Sequence, residues 1–237
     1  SLGNDEWSYT KVLPYFRRLE TDLDISGDFH GTSGPITVGR HHRERWLPLH
    51  ETFYRACLAA GYPEDSDMNG PDGQGVGAVP LNYHEGVRVS TAIGYIDPSR
   101  SRLNLTVRPD VWVQRVIFEG NRAVGVEAES GGETFHLSGS LVILSAGAIG
   151  SPQILLLSGV GPHADLEKLG IEMKHDSPGV GRNLWDHPQV PVTFSTVGNA
   201  GDESVQRLQV GLRYTASGSK LRNDMFLIPA RFTSHVA

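Results

Sequence analysis

The segment from Leu141 to Gly161 constrains the fold more than any other part of the chain. It reads LVILSAGAIGSPQILLLSGVG, an apolar run followed by small residues and a second apolar run. The continuous apolar run Leu141–Leu144 is typical of a strand that is covered on both faces. Ser145, Ala146 and Gly147 then remove side-chain bulk where such a strand would end. The segment therefore predicts a buried strand, a tight turn and a helix.

Helix start and stop signals follow the turn. Ser151 is a favourable N-cap, Pro152 suits the first helical position, and Gly159 can adopt the left-handed conformation that ends a helix. Exposed N–H groups at such a helix start favour a phosphate or another anion. The same strand, turn and helix also occur in α/β domains that bind nothing, so local physics leaves both alternatives open.

A second glycine pattern lies at the end of this segment. Gly159, Gly161 and Ala164 match the spacing G-x-G-x-x-A of a dinucleotide-binding loop. They follow a helix rather than a strand, however, and run into Pro162. We therefore interpret them as a helix-to-helix connection.

The order of small residues and helix positions in this segment resembles the second signature of the glucose-methanol-choline (GMC) family of FAD-dependent oxidoreductases. The positions that carry the resemblance are Gly147-Ala148, Ser151-Pro152, Ile154-Leu155 and Ser158-Gly159-Val160-Gly161. Further phrases agree with the family in order, and they are DEWSYTKVLPYFRRLE (5–20), FHGTSGPITV (29–38), GVRVSTAIGYI (86–96), RLNLTV (102–107) and PGVGRNLWDHP (178–188). The resemblance covers nearly the entire chain.

The resemblance implies an α/β fold with two parts. Residues 1–188 would form a portion of an FAD/NAD(P)-binding Rossmann-like domain, with a covering loop at about 62–98 and a β-meander at about 102–145. Residues 189–237 would begin an antiparallel-sheet substrate-binding domain. Compared with the family, the chain is expected to be a central piece that lacks the N-terminal G-x-G-x-x-G loop and the C-terminal catalytic region.

The resemblance also implies which residues bind the cofactor FAD. Val113 aligns with the residue whose backbone N–H and C=O hold the adenine ring; the plainer alternative is an inward-facing strand residue. Ser145, Ala146 and Gly147 would line the adenosine part of the same groove through their small size and backbone groups. Ser90 and Thr91 would cap a following helix near the flavin, and capping alone is the simpler alternative.

The implied reaction is oxidation of an alcohol CH–OH group, with hydride transfer to flavin N5, as in choline or alcohol dehydrogenases and oxidases. The base would be a C-terminal histidine outside this chain, so we expect no catalytic residue here and no activity from the chain alone. Its partners would then be a small-molecule alcohol and the missing parts of the same protein. A lyase of the hydroxynitrile lyase type, with non-redox FAD, and a non-catalytic nucleotide-binding domain remain alternatives.

Composition narrows the class of partner. Among 237 residues, 21 are basic and 27 acidic, and the net charge of −6 argues against nucleic acid or an anionic membrane surface as partner. Cys57 is the single cysteine, which excludes an intrachain disulfide and is compatible with the cytoplasm. No apolar run is long enough to span a bilayer.

Periodicity predicts the remaining elements. Residues 7–23, interrupted at Pro14, are expected to form one kinked helix or two short helices. A further helix is expected from Leu49 to Ala60. Alternating apolar residues over 103–144 predict an antiparallel meander with hairpin turns at Gly120-Asn121 and Gly131-Gly132. Later segments are expected to form a short helix between Pro162 and Gly170, β structure at 190–194, a polar helix over 203–215 and a strand over 225–232.

Two sequence clusters contain histidine and could form a chemical site. His41, His42 and His50 with Glu44 lack an HExxH pattern or a cysteine partner, so no metal is expected there. Asp186-His187 is a tempting acid–base pair. Adjacent side chains of an extended segment point in opposite directions, which predicts that these two do not meet but fix a loop between domains.

Overall fold

The computed structural model describes residues 3–194 and 208–230, and the chain divides into two compact units. The first unit comprises residues 1–105 and 194–237, and the second comprises residues 106–193. The α-helices are α1 (Tyr9–Leu19), α2 (Pro48–Ala59), α3 (Asp97–Ser99), α4 (Gly147–Leu157) and α5 (His163–Lys168). The strands are β1 (Glu20–Asp22), β2 (Ile36–Val38), β3 (Gly75–Ala78), β4 (Tyr83–His84), β5 (Val87–Arg88), β6 (Trp112–Glu119), β7 (Arg122–Ser130), β8 (Glu133–Ser138), β9 (Val160–Gly161), β10 (His175–Asp176), β11 (Val210–Tyr214) and β12 (Met225–Leu227). Short 3-10 helices lie at Asp5–Trp7 and Arg43–Arg45, and a π-helix lies at Ala92–Ile96.

The first unit is built around a three-stranded antiparallel sheet in the order β12-β11-β3. Helix α2 covers this sheet, with Pro48 at its start as expected of a residue that needs no N–H partner there. The core between helix and sheet is formed by Tyr54, Cys57, Val76, Val210 and Leu212. Strands β1 and β2 form a separate parallel pair.

The side chain of Gln209 fixes the start of α2 on this sheet. Gln209 is fully buried, and its Oε1 accepts a hydrogen bond of 2.8 Å from the backbone N–H of Leu47, the residue before the helix. Its Nε2 donates to the carbonyl of Arg45 at 3.3 Å. The predicted polar helix over 203–215 is therefore wrong from Val210 onward, because this segment is a strand that pairs with β3; residues 203–207 lie outside the described residues.

The second unit contains the predicted meander. Strands β6, β7 and β8 form an antiparallel sheet in that order, and the hairpins turn at Gly120-Asn121 and Gly131-Gly132 as predicted. Helix α4 packs against β6. After α4 the chain forms β9, which pairs in parallel with β10 and leads through Pro162 into α5. The predicted helix-to-helix connection at Gly159–Gly161 thus contains a two-residue strand.

Several predicted strands are absent from the described residues. Leu141–Leu144 is extended, but no strand pairs with it within residues 3–194 and 208–230, and Leu141 and Ile143 are about three-quarters exposed. The prediction of a buried strand is wrong there because nothing in the described chain accepts its backbone hydrogen bonds. Segments 103–107 and 190–194 are likewise unpaired. The predicted strand over 225–232 is found as β12 and ends at Leu227, and residues 231–232 lie outside the described residues.

Candidate functional site

The turn at Ser145, Ala146 and Gly147 links the extended apolar segment to helix α4. All three residues are exposed. Gly147 has φ +80°, a backbone conformation that L side chains rarely adopt, and a Cβ built on it would have nothing within 4 Å. The turn therefore offers backbone with open space beside it, as a site for close approach of a ligand requires.

Helix α4 begins at Gly147, one turn earlier than the sequence predicted, and Ala146 is its N-cap residue. The prediction of Ser151 as N-cap is wrong because residues 147–150 already belong to the helix, which places Ser151 about one turn inside it. Ser151 instead accepts a hydrogen bond on Oγ from the Ala146 N–H at 3.0 Å. The first N–H groups of an α-helix have no partner within the helix, so this end of α4 is electropositive and suited to an anion.

Val113 lies in β6, the outer strand of the meander sheet, where it pairs with Ala128 of β7. The register then shifts because Gln114 is an extra residue, and its amide Nε2 donates to Glu129 at 2.9 Å. Such a bulge bends a strand and re-aims its neighbours. The half-buried Val113 is therefore a strand residue next to an irregular backbone. This position is compatible with a backbone contact to the adenine ring and also with a plain inward-facing strand residue.

A buried hydroxyl joins β6 to α4. Ser158 Oγ accepts the backbone N–H of Val116 at 2.8 Å and donates to the carbonyl of Ile154 at 2.5 Å. A buried N–H at an outer strand needs such a partner, since an unsatisfied group costs free energy. The strand that carries Val113 is thereby held to the helix that follows the 145–147 turn. The sequence signature includes Ser158, but its spacing alone did not reveal this structural role.

We expect Ser158→Ala to lower the free energy of unfolding by about 1–3 kcal/mol, because it leaves the buried Val116 N–H without a partner. Ser151→Ala is the matched control in the same helix, since its bond to Ala146 is exposed to water. That change should cost no more than about 1 kcal/mol. Urea unfolding followed by circular dichroism measures the free energy of unfolding of both variants. Equal losses in the two variants would contradict a stabilising role for the buried bond between Ser158 and Val116.

Ser90 and Thr91 belong to the first unit, unlike Val113 and the 145–147 turn. Ser90 Oγ accepts the N–H of Ile93 at 3.4 Å, a weak cap at the start of the π-helix. Thr91 is exposed and its side chain makes no capping hydrogen bond. The capping interpretation thus holds weakly for Ser90 and not for Thr91.

Asp186 and His187 are both exposed. Asp186 Oδ1 accepts the backbone N–H of His187 at 2.7 Å and lies 3.5 Å from its ring Nδ1. The prediction that these side chains do not meet is wrong, because the carboxylate folds back onto the next peptide N–H and so comes beside the imidazole. Neither side chain is held in a buried site in this structure.

A cleft of about 550 Å³ lies in the first unit, between the loops after β1 and β2, helix α2 and β3. Its lining contains none of the six predicted cofactor residues. Arg43 at its rim forms a two-bond ion pair with Glu51, at 2.9 and 2.7 Å, and lies over the ring of Tyr54. Burial lowers the pKa of His41, whose ring lies tilted against that of Tyr83 at 4.9 Å between centroids, whereas His42 and Glu44 are exposed.

Comparison with solved structures defines the class of protein. The chain superposes on the crystal structure of pyridoxine 4-oxidase from Mesorbium loti with a TM-score of 0.70 and 29% identity, covering 74% of this chain and 35% of that one. An FAD-dependent oxidoreductase from Chaetomium thermophilum gives a TM-score of 0.69 with 31% identity, covering 75% and 33%. The fold is therefore that of an FAD-dependent oxidoreductase, and the predicted α/β FAD-binding fold is confirmed.

Sequence comparison identifies the family. The model of the GMC oxidoreductase family matches residues 1–189, so the chain belongs to the GMC family. An uncharacterized GMC-type oxidoreductase of Rhodococcus erythropolis is 47% identical over 192 residues, which are 80% of this chain and 39% of that protein. The mitochondrial choline dehydrogenase of Homo sapiens is 44% identical over 221 residues, covering 90% and 36%. The chain thus spans less than half the length of these relatives.

Proposed function

We propose that this chain forms part of the FAD-binding and substrate-binding regions of an enzyme that oxidises an alcohol CH–OH group. The observation that carries the proposal is the family match over residues 1–189, together with the exposed turn at the start of α4. Relatives named choline dehydrogenase and a structural neighbour named pyridoxine 4-oxidase support an alcohol as substrate. FAD, when bound, supplies the hydride acceptor.

In this proposal the residues of the turn line the adenosine part of the FAD groove. Gly147 leaves room for a ligand beside the backbone, and the N-terminal N–H groups of α4 present partial positive charge to an anion. Ala146 and Ser145 add little bulk on the approach. In this proposal Val113 contributes its backbone N–H and C=O to the adenine ring, and Ser158 keeps its strand in place against α4.

Ser90 and Thr91 are proposed near the flavin, at the start of the π-helix that follows them. We also propose that residues 1–188 form the FAD-binding portion and that residues 189–237 begin the substrate-binding domain. The exposed Leu141, Ile143 and Ile149 support the further proposal that other parts of the same protein cover this side of the FAD-binding portion. Large exposed apolar side chains in one region are typical of an interface.

No helix among residues 3–194 and 208–230 is both long enough and apolar enough to cross a membrane. A cytoplasmic location stays a prediction, and the human relative is named as a mitochondrial protein. Net charge supports the prediction that nucleic acid is not a partner.

Anaerobic mixing of the intact flavoprotein with a primary alcohol, choline included, tests the proposed reaction. We expect the flavin absorbance to bleach as hydride reaches the cofactor. A protein that holds FAD but does not bleach with any alcohol would contradict oxidation and favour the lyase alternative. A purified protein without flavin absorbance would favour the non-catalytic domain.

The 237-residue chain alone is expected to oxidise no alcohol when FAD is added, because it spans less than half the length of its relatives and the proposed base is a histidine of another part of the protein. Oxygen consumption and reduction of an artificial electron acceptor measure this. Turnover of an alcohol by the isolated chain would contradict the prediction.

A further inference from the structure

A buried histidine in the first unit lies among carboxylates that the proposed function does not use. His30 is 3% exposed and lies in the loop between β1 and β2. Its Nε2 lies 2.8 Å from Asp67 Oδ2, and its Nδ1 lies 3.3 Å from Glu20 Oε1 and 3.3 Å from Asp22 Oδ2. Both ring nitrogens therefore face carboxylate oxygens.

This arrangement requires two ring protons. A neutral imidazole carries one N–H, and its other nitrogen presents a lone pair that a carboxylate repels. With Asp67 at one nitrogen and two acidic side chains at the other, only the imidazolium donates on both sides. A charged ring also offsets part of the negative charge that Glu20 and Asp22 bring into a buried site.

The other charged groups of this cluster are already paired. Arg40 donates from Nη1 to both oxygens of Asp22, at 2.8 and 2.9 Å, and its Nη2 lies 3.5 Å from Asp67 Oδ1. The Arg40 backbone N–H donates to Asp24 at 2.7 Å. From α1, Arg17 donates to the carbonyl of His30 at 3.2 Å. Within the described residues Arg40 makes no bond to Glu20, whose Oε1 accepts the backbone N–H of Gly31 at 3.1 Å and faces His30 Nδ1.

The pKa values agree with this geometry. Burial acts to lower the pKa of His30, but the hydrogen bond and charge of Asp67, with the contributions of Asp22 and Glu20, raise it above its ordinary value near 6.5. Burial also acts to raise the pKa of Asp22, yet hydrogen bonds from Arg40 and from two backbone N–H groups lower it overall. Asp22 is therefore a carboxylate at neutral pH.

His30 connects two parts of the first unit that are distant in sequence. Glu20 and Asp22 belong to β1, whereas Asp67 begins the loop 67–73, which reads DMNGPDG. Bonds from the region around β11 and β12 hold both ends of this loop, from Arg213 to the carbonyl of Met68 at 2.9 Å and from Asn223 to that of Gly73 at 2.7 Å. The contact of His30 with Asp67 adds a bond from the Asp67 end of the loop to the β1 region.

We propose that His30 is a protonated clamp that fastens the 67–73 loop to β1, and that the clamp weakens when the ring loses a proton at alkaline pH. A group whose pKa is raised in the folded state stabilises that state fully below its unfolded pKa. The stabilisation is lost as the pH rises through the folded pKa. Opening of this loop is therefore favoured above about pH 6.5 and not below it.

Hydrogen–deuterium exchange of the protein as purified tests the clamp, with peptides covering 65–73 followed from about pH 6 to about pH 9.5 and corrected for intrinsic exchange. In the wild type we expect protection to fall by up to about tenfold per pH unit above about 6.5, until the folded pKa is passed. In His30→Gln the corrected protection should not depend on pH. His84→Gln, an exposed histidine of the same unit, is the control and should behave as wild type.

Asp67→Asn keeps His30 and removes the negative charge that faces its Nε2. Since a carboxylate within hydrogen-bond distance raises a histidine pKa by about one unit or more, the total fall in protection should shrink about tenfold. This variant decides the matter if His30→Gln does not fold. The proposal is overturned by a wild-type loop whose protection does not fall with pH, by an Asp67→Asn loop identical to wild type, or by a divalent metal ion bound at His30 in elemental analysis.

Discussion

Gly77→Ala is expected to destabilise the first unit by about 3 kcal/mol or more, the upper range for inserting an atom into a packed site. Gly77 is buried in β3, and a Cβ at this position would lie 1.9 Å from the backbone carbonyl oxygen of Asp65. Segment 63–65 approaches this closely because it is bonded to β3 on the side away from β11, with Asp65 N–H donating to Val76 at 2.9 Å. Backbone on both sides leaves no flexible group that can move aside.

Gly211→Ala is the matched control for this prediction. Gly211 is equally buried and faces Gly77 across the β3–β11 pair. Its added Cβ would meet the ring of Phe226 at 2.7 Å, but that side chain is 47% exposed and can rotate. We expect a loss near 1 kcal/mol. Urea unfolding followed by circular dichroism measures both variants. Equal losses would show that the backbone contact is not decisive.

The parts of the fold that the sequence predicted are those set by local chemistry. The predictions of the two hairpin turns and of helix α2 are confirmed, because glycine-containing turns and a proline at a helix start act within a few residues. The end of α4 before Gly159 was also correct, and this glycine has φ +81°. The predicted start of α4 is wrong, because Ser151 can cap the helix only if no earlier residue begins it, and α4 begins at Gly147.

The parts that the sequence did not predict depend on distant partners. Val210–Tyr214 is a strand because β3, more than a hundred residues earlier, provides its hydrogen bonds. Leu141–Leu144 has strand composition but no pairing neighbour within the described residues. For the candidate site, the family pattern located the turn, whereas the buried bonds of Ser158 and His30 became visible only from three-dimensional contacts.

The Gly147→Val substitution is expected to weaken FAD binding roughly thirtyfold, about 2 kcal/mol, if the turn lines the adenosine groove as proposed. A β-branched side chain would fill the open space beside the Gly147 backbone and hinder a ligand that approaches the start of α4. The same change also strains the backbone, because φ is +80° and costs a β-branched residue about 1–2 kcal/mol. A loss of FAD alone therefore does not separate ligand exclusion from strain.

Gly170→Val separates the two effects. Gly170 also belongs to the second unit, has φ +67° and likewise has nothing within 4 Å of an added Cβ, but it follows α5, whereas Gly147 is the first residue of α4. Both variants should lower the stability of the apoprotein by a similar amount, whereas Gly147→Val alone should reduce FAD affinity. Titration of apoprotein with FAD, monitored by quenching of flavin fluorescence, measures the affinity. Equal affinities in the two variants would show that FAD does not approach this turn, and the adenosine groove would then have to lie elsewhere in the fold.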